Sequence, residues 1–213
     1  MTDWEERAAR AIARHDDGAA RLPEDRDERQ RQLTRMGNAA WAAGLSYLML
    51  GRAEDARAWL LRAAERYRES WPLAPPGSWG RPIGAMKSRL IAGDREGANT
   101  DARWALEAGA AESESPIGIY AAALAGLVLG VDAEAAALQA RDDFPAAVAD
   151  ALVALAARDA AAYESAIVDL LADFESRHEF LEDTRVADTV LALQVLAQER
   201  GLAVELRSPL LPG

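Results

Sequence analysis

The chain is divided at regular intervals by short sequences that end one α-helix and begin the next. In Gly93-Asp94 the glycine permits a left-handed turn and the aspartate caps the following helix, and Gly130 followed by Asp132 repeats the pattern. Ser115-Pro116 is another helix start, with a capping serine before a first-turn proline. Almost no segment has the pattern of a strand. We therefore predict an all-α fold of nine or ten helices, joined by short turns into antiparallel hairpins.

Capping residues and apolar spacing also predict individual helices. Thr2 with Glu5 matches a capping box that opens a first helix reaching to about residue 14. Leu22-Pro23 begins a long second helix. The last helix is predicted from about residue 183 to residue 200, because Gly201 stands just past its end.

We expect a single domain over residues 1–213, since a chain of 213 residues with 50% hydrophobic side chains buries a sizeable core. Residues 1–70 are predicted to form N-terminal hairpins, and residues 83–213 C-terminal ones. Between them, residues 71–82 contain four prolines and two glycines, a composition that predicts an irregular loop.

Composition excludes several classes of protein. The chain has no cysteine and two histidines, so we expect no disulfide, thiol catalysis or metal centre, and we assign no cofactor. No apolar run reaches about 18 residues, and the first twenty residues are charged throughout. We therefore expect a cytoplasmic protein without a signal peptide or membrane span.

The net charge of −11 is concentrated toward the C-terminus. Residues 1–70 are neutral overall, whereas residues 142–213 carry 14 acidic and 5 basic side chains. An acidic surface disfavours nucleic acid and favours a basic protein partner. The alternative is that this charge only keeps the protein soluble, as in a salt-adapted chain.

From Ala40 onward the sequence resembles a tetratricopeptide motif. The small, aromatic and turn positions of that motif are occupied by Gly44, Tyr47 and Gly51, and two further small positions by Ala56 and Ala63. A weaker copy follows at an offset of 42, against about 34 in the family, and consists of Gly93, Ala98 and Ala105. The resemblance implies a right-handed, tetratricopeptide-like stack of hairpins.

Residues 78–213 resemble a family of all-helical immunity proteins from bacterial polymorphic-toxin systems. The similar elements are Ser78-Trp79-Gly80-Arg81, Ile91-Ala92-Gly93-Asp94, a helix over 159–174, and the tail Arg200-Gly201-Leu202 to Ser208-Pro209-Leu210-Leu211-Pro212. This resemblance implies a non-enzymatic protein that neutralises a toxin by binding it. It transfers no individual binding residue.

The best candidate for a partner-binding site is the segment from Trp71 to Arg89. Trp71 and Trp79 bracket the loop, and Arg81, Lys87 and Arg89 follow without acidic neighbours in the sequence. Tryptophan and arginine are the side chains that protein interfaces favour at their energetic centres. The alternative is that both tryptophans fold back into the core.

A second group of candidate partner-binding residues is acidic and lies in the last third of the chain. It comprises Glu179, Glu182, Asp183 and Asp188. His178 and Glu182 are four residues apart, but two ligands do not make a metal site, so we interpret this stretch as a solvated helix boundary.

No sequence motif of a known catalytic class is present. The segment Gly80 to Ser88 superficially resembles a phosphate-binding loop but lacks glycine immediately before the lysine. We therefore expect a non-catalytic protein-binding module, with an immunity-type inhibitor as its most concrete form. The sequence leaves open whether the chain also forms a homo-oligomer. The alternative is a helical-bundle enzyme or small-ligand binder with a cavity between hairpins.

Overall fold

The computed structural model describes residues 3–131 and 135–213, so the predicted capping role of Thr2 and that of Asp132 lie outside the described residues. Within those ranges the chain is all-helical, as predicted, with ten α-helices and no strand. The helices are α1 (Asp3–Ala20), α2 (Arg26–Met49), α3 (Ala53–Ser70), α4 (Gly80–Ile91), α5 (Arg95–Glu107), α6 (Pro116–Leu129), α7 (Ala136–Gln139), α8 (Ala146–Ala157), α9 (Ala160–Ser176) and α10 (Asp188–Gln198). Single 3₁₀ turns occupy Trp71–Leu73 and Leu181–Asp183.

The predicted helix-capping residues occupy the expected positions. The side chains of Asp94 and Ser115 each accept a hydrogen bond from a backbone N–H in the first turn of α5 and α6. Asp159 caps α9 in the same way. Gly93 and Gly130 adopt the left-handed conformation, with φ of 68° and 70°. Short-range chemistry therefore sets these helix ends.

Two predicted boundaries near the N-terminus were wrong. The first helix continues to Ala20, because no helix-breaking residue occurs before Pro23. The second begins at Arg26 rather than Leu22, because the carboxylate of Asp25 accepts a hydrogen bond from the Glu28 N–H and caps it there.

The last helix begins at Asp188 rather than near residue 183. Glu182 and Asp183 have positive φ, and the N–H of Ala187 donates to the carbonyl of Leu210 in the C-terminal tail. The backbone before Asp188 is therefore engaged by a turn and by the tail. The predicted loop over 71–82 is also shorter, since α4 starts at Gly80 and accommodates Pro82 in its first turn.

Successive helices from α1 to α6 pack against one another as hairpins, and α8 packs on α9. Gly44 permits the close approach of α2 and α3, because a Cβ at this position would lie 2.7 Å from a side-chain carbon of Leu60. The helix α10 then returns to contact α4, α8 and α9, and the turn at Leu181–Asp183 contacts α2. The C-terminal segment thus joins the two ends of the helix array.

The core consists of two apolar clusters that meet at α4. Ala85 of α4 and Ala92, which follows the helix, belong to the cluster formed with α2 and α3. Ile83, Met86 and Leu90 of α4 belong to the cluster formed with α5, α6, α8, α9 and α10. Because α4 contributes to both clusters, its polar side chains are held in fixed positions between the N-terminal and C-terminal helices.

Candidate functional site

The two tryptophans that bracket the proline-rich loop pack together. The ring centroids of Trp71 and Trp79 are 5.4 Å apart, and Trp104 of α5 meets Trp71 edge-on at 5.5 Å. Trp79 is only 7% exposed. Both tryptophan rings therefore fold back onto the helices, as in the alternative interpretation of this segment, and Trp71 packs on Trp104 of α5.

Arg81 connects three helices. Its Nε–H donates to the hydroxyl of Ser70 over 2.8 Å, and Nη2 donates to the side-chain oxygen of Gln30. Burial lowers the pKa of the Arg81 guanidinium. Arg81 thus holds α4 against the end of α3 and the start of α2, and its Nη1 has no hydrogen-bond partner among the described residues.

Lys87, the single lysine of the chain, forms a buried ion pair with Asp188. Nζ lies 2.5 Å from the Asp188 carboxylate and 2.9 Å from the hydroxyl of Thr189, to which it donates. Burial lowers the pKa of Lys87, but the attraction of Asp188 outweighs burial, and the net pKa is raised. Two predicted site residues from different parts of the sequence are therefore brought together, as partners of each other.

Arg89 belongs to a separate polar cluster. It lies 2.6 Å from the carboxylates of both Asp94 and Asp101, and Arg68 of α3 also reaches Asp101 at 2.6 Å. Asp101 is fully buried. The expectation that Arg81, Lys87 and Arg89 form a cation cluster free of acidic neighbours therefore fails for Lys87 and Arg89, because carboxylates distant in sequence reach them.

A cavity of about 390 Å³ lies between α2, α3, α4 and the C-terminal segment, and is hereafter the aromatic cavity. Four of the predicted site residues line it, namely Trp79, Arg81, Lys87 and Asp188. Sequence reasoning missed the other residues with polar or aromatic groups in its wall, which are Thr34, Asn38, Trp41, Tyr67 and Ser78.

Tyr67 occupies a position set by two glycines. A Cβ on Gly37 of α2 or on Gly84 of α4 would lie 2.8 Å from a carbon of the Tyr67 ring, so the ring lies between two glycine backbones. Its hydroxyl donates to the side-chain oxygen of Asn38 over 2.9 Å. Burial raises the pKa of Tyr67 above its ordinary range, and the phenol stays neutral. The two glycines were a sequence signal for this close approach.

The four acidic candidates do not share one surface. Glu179 and Asp183 are exposed, whereas Glu182 pairs with Arg14 of α1 at 2.9 Å and Asp188 is buried against Lys87. His178 is exposed. Across residues 3–131 and 135–213, no three acidic or histidine side chains are placed to hold a metal ion.

A second depression lies on the acidic side of the molecule, between α8 and α9. Its volume is about 350 Å³. It is lined by the apolar residues Val153, Ala154, Ala157, Ala162 and Ala166, the acidic residues Asp150, Asp159 and Asp169, and the polar residues Gln139 and Ser165. We call it the acidic groove.

Little positive charge surrounds the acidic groove. Residues 142–176 contain eight acidic side chains and one basic side chain, Arg158. Glu164 and Asp169 of α9 are exposed, and no ion pair involves either of them among the described residues. Val168, between them, is 48% exposed. This surface therefore presents unneutralised carboxylates next to accessible apolar groups.

Along the part of the chain that the structure describes, no helix has the length and apolar character needed to cross a membrane. Comparison with protein-family models, with characterised proteins and with solved structures found no match to this chain.

Proposed function

We propose that this chain is a non-catalytic protein-binding module that receives a basic partner at the acidic groove. The observation that carries the proposal is the groove itself, in which apolar residues lie beside the acidic residues Asp150, Asp159 and Asp169. Protein interfaces likewise combine apolar and polar groups, with an apolar centre and a polar rim. The carboxylates attract a basic surface at long range and set its orientation.

The side chains around the groove favour close contact with a helix or strand of the partner. On α9 the exposed positions are alanine, serine, Val168 and acidic residues, and the helix contains no lysine or arginine. Small side chains let a partner backbone approach closely, and Val168 adds an accessible apolar contact. An arginine or lysine of the partner would place its apolar stem on the apolar residues of the groove and its charge beside the carboxylates.

The most concrete form of the proposal is an immunity-type inhibitor that covers the functional surface of a toxin. This form rests on the resemblance of residues 78–213 to that family. A toxin that acts on a polyanion would itself have a basic surface, which is the charge that the acidic groove complements.

Charge reversal at the groove tests the proposal. We would immobilise the full chain, the variant Glu164→Arg/Asp169→Arg, and the control variant Glu24→Arg/Glu112→Arg, and quantify proteins captured from a lysate of the source cells. All four substituted residues are exposed and make no ion pair within the described residues, so both variants should keep the fold. Each variant reverses two acidic residues, so both change the net charge by the same amount.

We expect a basic protein to be captured by the native chain and the control and to be lost by the groove variant. Capture should also weaken between about 50 and 500 mM salt, because steering between exposed charges is screened. Equal capture by the groove variant and the native chain would contradict the assignment of the binding surface to α8 and α9.

A further inference from the structure

The aromatic cavity has features that the proposed protein-binding function does not use. It opens to solvent at Gly77, Gly80 and Leu181, all of which are exposed. Leu181 is 52% exposed, which is unusual for a leucine beside a cavity with aromatic walls. The volume of about 390 Å³ falls within the range of roughly 300–1,000 Å³ that is typical of small-molecule sites.

The charge of the cavity is opposite to that of the protein. Its charged lining residues are Arg81, Lys87 and Asp188, so the lining carries a net charge of +1 in a chain of net charge −11. Glu182 lies outside the lining and is paired with Arg14, but its charge and that of Asp188 add to burial in raising the pKa of the lining residue Tyr67. A net positive site inside an acidic protein favours an anionic ligand.

Several hydrogen-bond donors remain in the lining, beside the Asp188 carboxylate, one oxygen of which pairs with Lys87. The Lys87 ammonium has three N–H groups, of which Asp188 and Thr189 accept two. Arg81 uses Nε and Nη2 for Ser70 and Gln30, so Nη1 has no partner among the described residues.

The side-chain amide of Asn38 adds further donors. Its oxygen accepts the Tyr67 hydroxyl proton, which leaves both N–H groups of the amide nitrogen without a partner in the described part of the chain. The remaining groups of Asn38, Arg81 and Lys87 therefore match the acceptor oxygens of an anion.

Three aromatic residues, Trp41, Tyr67 and Trp79, also line the cavity. Trp41 is 6% exposed, whereas the Trp79 ring packs on Trp71. Rings of this kind stack on flat apolar groups. We propose that the aromatic cavity binds a small organic anion, in which a carboxylate or phosphate attached to an aromatic ring is held by Asn38, Arg81 and Lys87 while the ring packs on Trp41.

Isothermal titration calorimetry of the full chain tests this site with four probes: phenylphosphate, phenylacetate, inorganic phosphate and benzylammonium. We expect one molecule of phenylphosphate or phenylacetate to bind per chain. The probe with the higher affinity shows whether the site prefers a phosphate or a carboxylate. Inorganic phosphate should bind at least about tenfold more weakly, because it lacks the ring. Benzylammonium should not bind measurably.

Two variants connect binding to the cavity. In Asn38→Asp the new carboxylate still accepts the Tyr67 hydrogen bond but repels an anion, so affinity should fall at least about tenfold. In Gly80→Phe a ring occupies the cavity mouth, where no atom lies within 4 Å of an added Cβ, and affinity should again fall at least about tenfold. Gln198→Glu on the exposed side of α10 is the charge-matched control and should bind like the native chain.

Circular dichroism and thermal melting establish that each variant is folded, and Gly80→Phe carries the test alone if Asn38→Asp is destabilised. The proposal is overturned if neither aromatic anion saturates the chain below about 10 mM, a limit set by the weakest affinities of specific sites. It is equally overturned if benzylammonium binds as tightly as the anions, or if folded Gly80→Phe binds with native affinity.

Discussion

Replacing Lys87 by methionine removes the only positive charge that contacts the Asp188 carboxylate within the described residues. The two side chains are 13% and 12% exposed, so solvent screens them little. Removing one partner of a buried ion pair costs about 3–5 kcal/mol, because an uncompensated charge remains inside the protein. The pair lies in the wall of a cavity that water reaches, so we expect the lower end, about 3 kcal/mol.

Urea unfolding followed by circular dichroism measures this free energy. With an m-value of roughly 2–3 kcal/mol/M, the unfolding midpoint of Lys87→Met should fall by about 1–1.5 M. The double variant Lys87→Met/Asp188→Leu removes both charges and fills the space with apolar groups. It should recover most of the loss, because replacing a buried pair by apolar residues is often close to neutral.

A double-mutant cycle of Lys87→Met and Asp188→Leu measures the coupling energy between the two positions. A coupling energy of about 2 kcal/mol or more between the two positions is expected for a direct buried contact. If Lys87→Met stays within about 1 kcal/mol of the native chain, or if the two substitutions are additive, the reasoning that this pair anchors α10 to α4 is wrong.

Two further predictions concern pH and close packing. Because the pKa of Lys87 in the folded chain lies above its ordinary 10.5, its contribution to stability is complete below that pH and is lost as the pH rises through the folded value. In thermal melting from pH 8 to 12, the melting temperature of the native chain should therefore fall more steeply above about pH 10.5 than that of Lys87→Met/Asp188→Leu. The double variant is the control because it retains the buried tyrosines. Parallel curves for the two proteins would contradict this prediction. Gly84→Ala places a Cβ 2.8 Å from the Tyr67 ring and should cost about 1–3 kcal/mol in urea unfolding, whereas Gly80→Ala, in open space, should be neutral or stabilising by up to about 1 kcal/mol. Equal stability of the two alanine variants would refute the close approach of α3 and α4.

The candidate site was only partly accessible to sequence reasoning. The residues Trp79, Arg81 and Lys87 were identified from their types and spacing, and they do line one cavity. Asp188 was also identified, but its pairing with Lys87 was not predicted, and Asn38 was missed, because both residues are far from α4 in the sequence and no local pattern connects them to it. The acidic groove was predicted only as an excess of charge over residues 142–213, and folding separates Glu182 and Asp188 from that surface by pairing them internally.

The tetratricopeptide and immunity-protein resemblances stay predictions. The glycine at position 44 does permit the close approach of α2 and α3 that a helical hairpin needs. The tail also packs as a structural element, since Leu210 is 4% exposed and its carbonyl accepts from Ala187. Both features are compatible with other helical folds.

The sequence by itself determined the helical class, a helix number of nine or ten and several helix ends. These depend on groups within about four residues of one another, such as Asp94 with the N–H of Gly97 or Ser115 with that of Gly118. Only the tertiary structure decided which charges are free and which are paired. Lys87 and Asp188 meet because α10 returns across α4, and Asp101 is buried because α3 and α4 bring two arginines to it. Packing in three dimensions decides which charges are removed from water and which partners they meet, and the spacing of residues along the chain does not encode that packing.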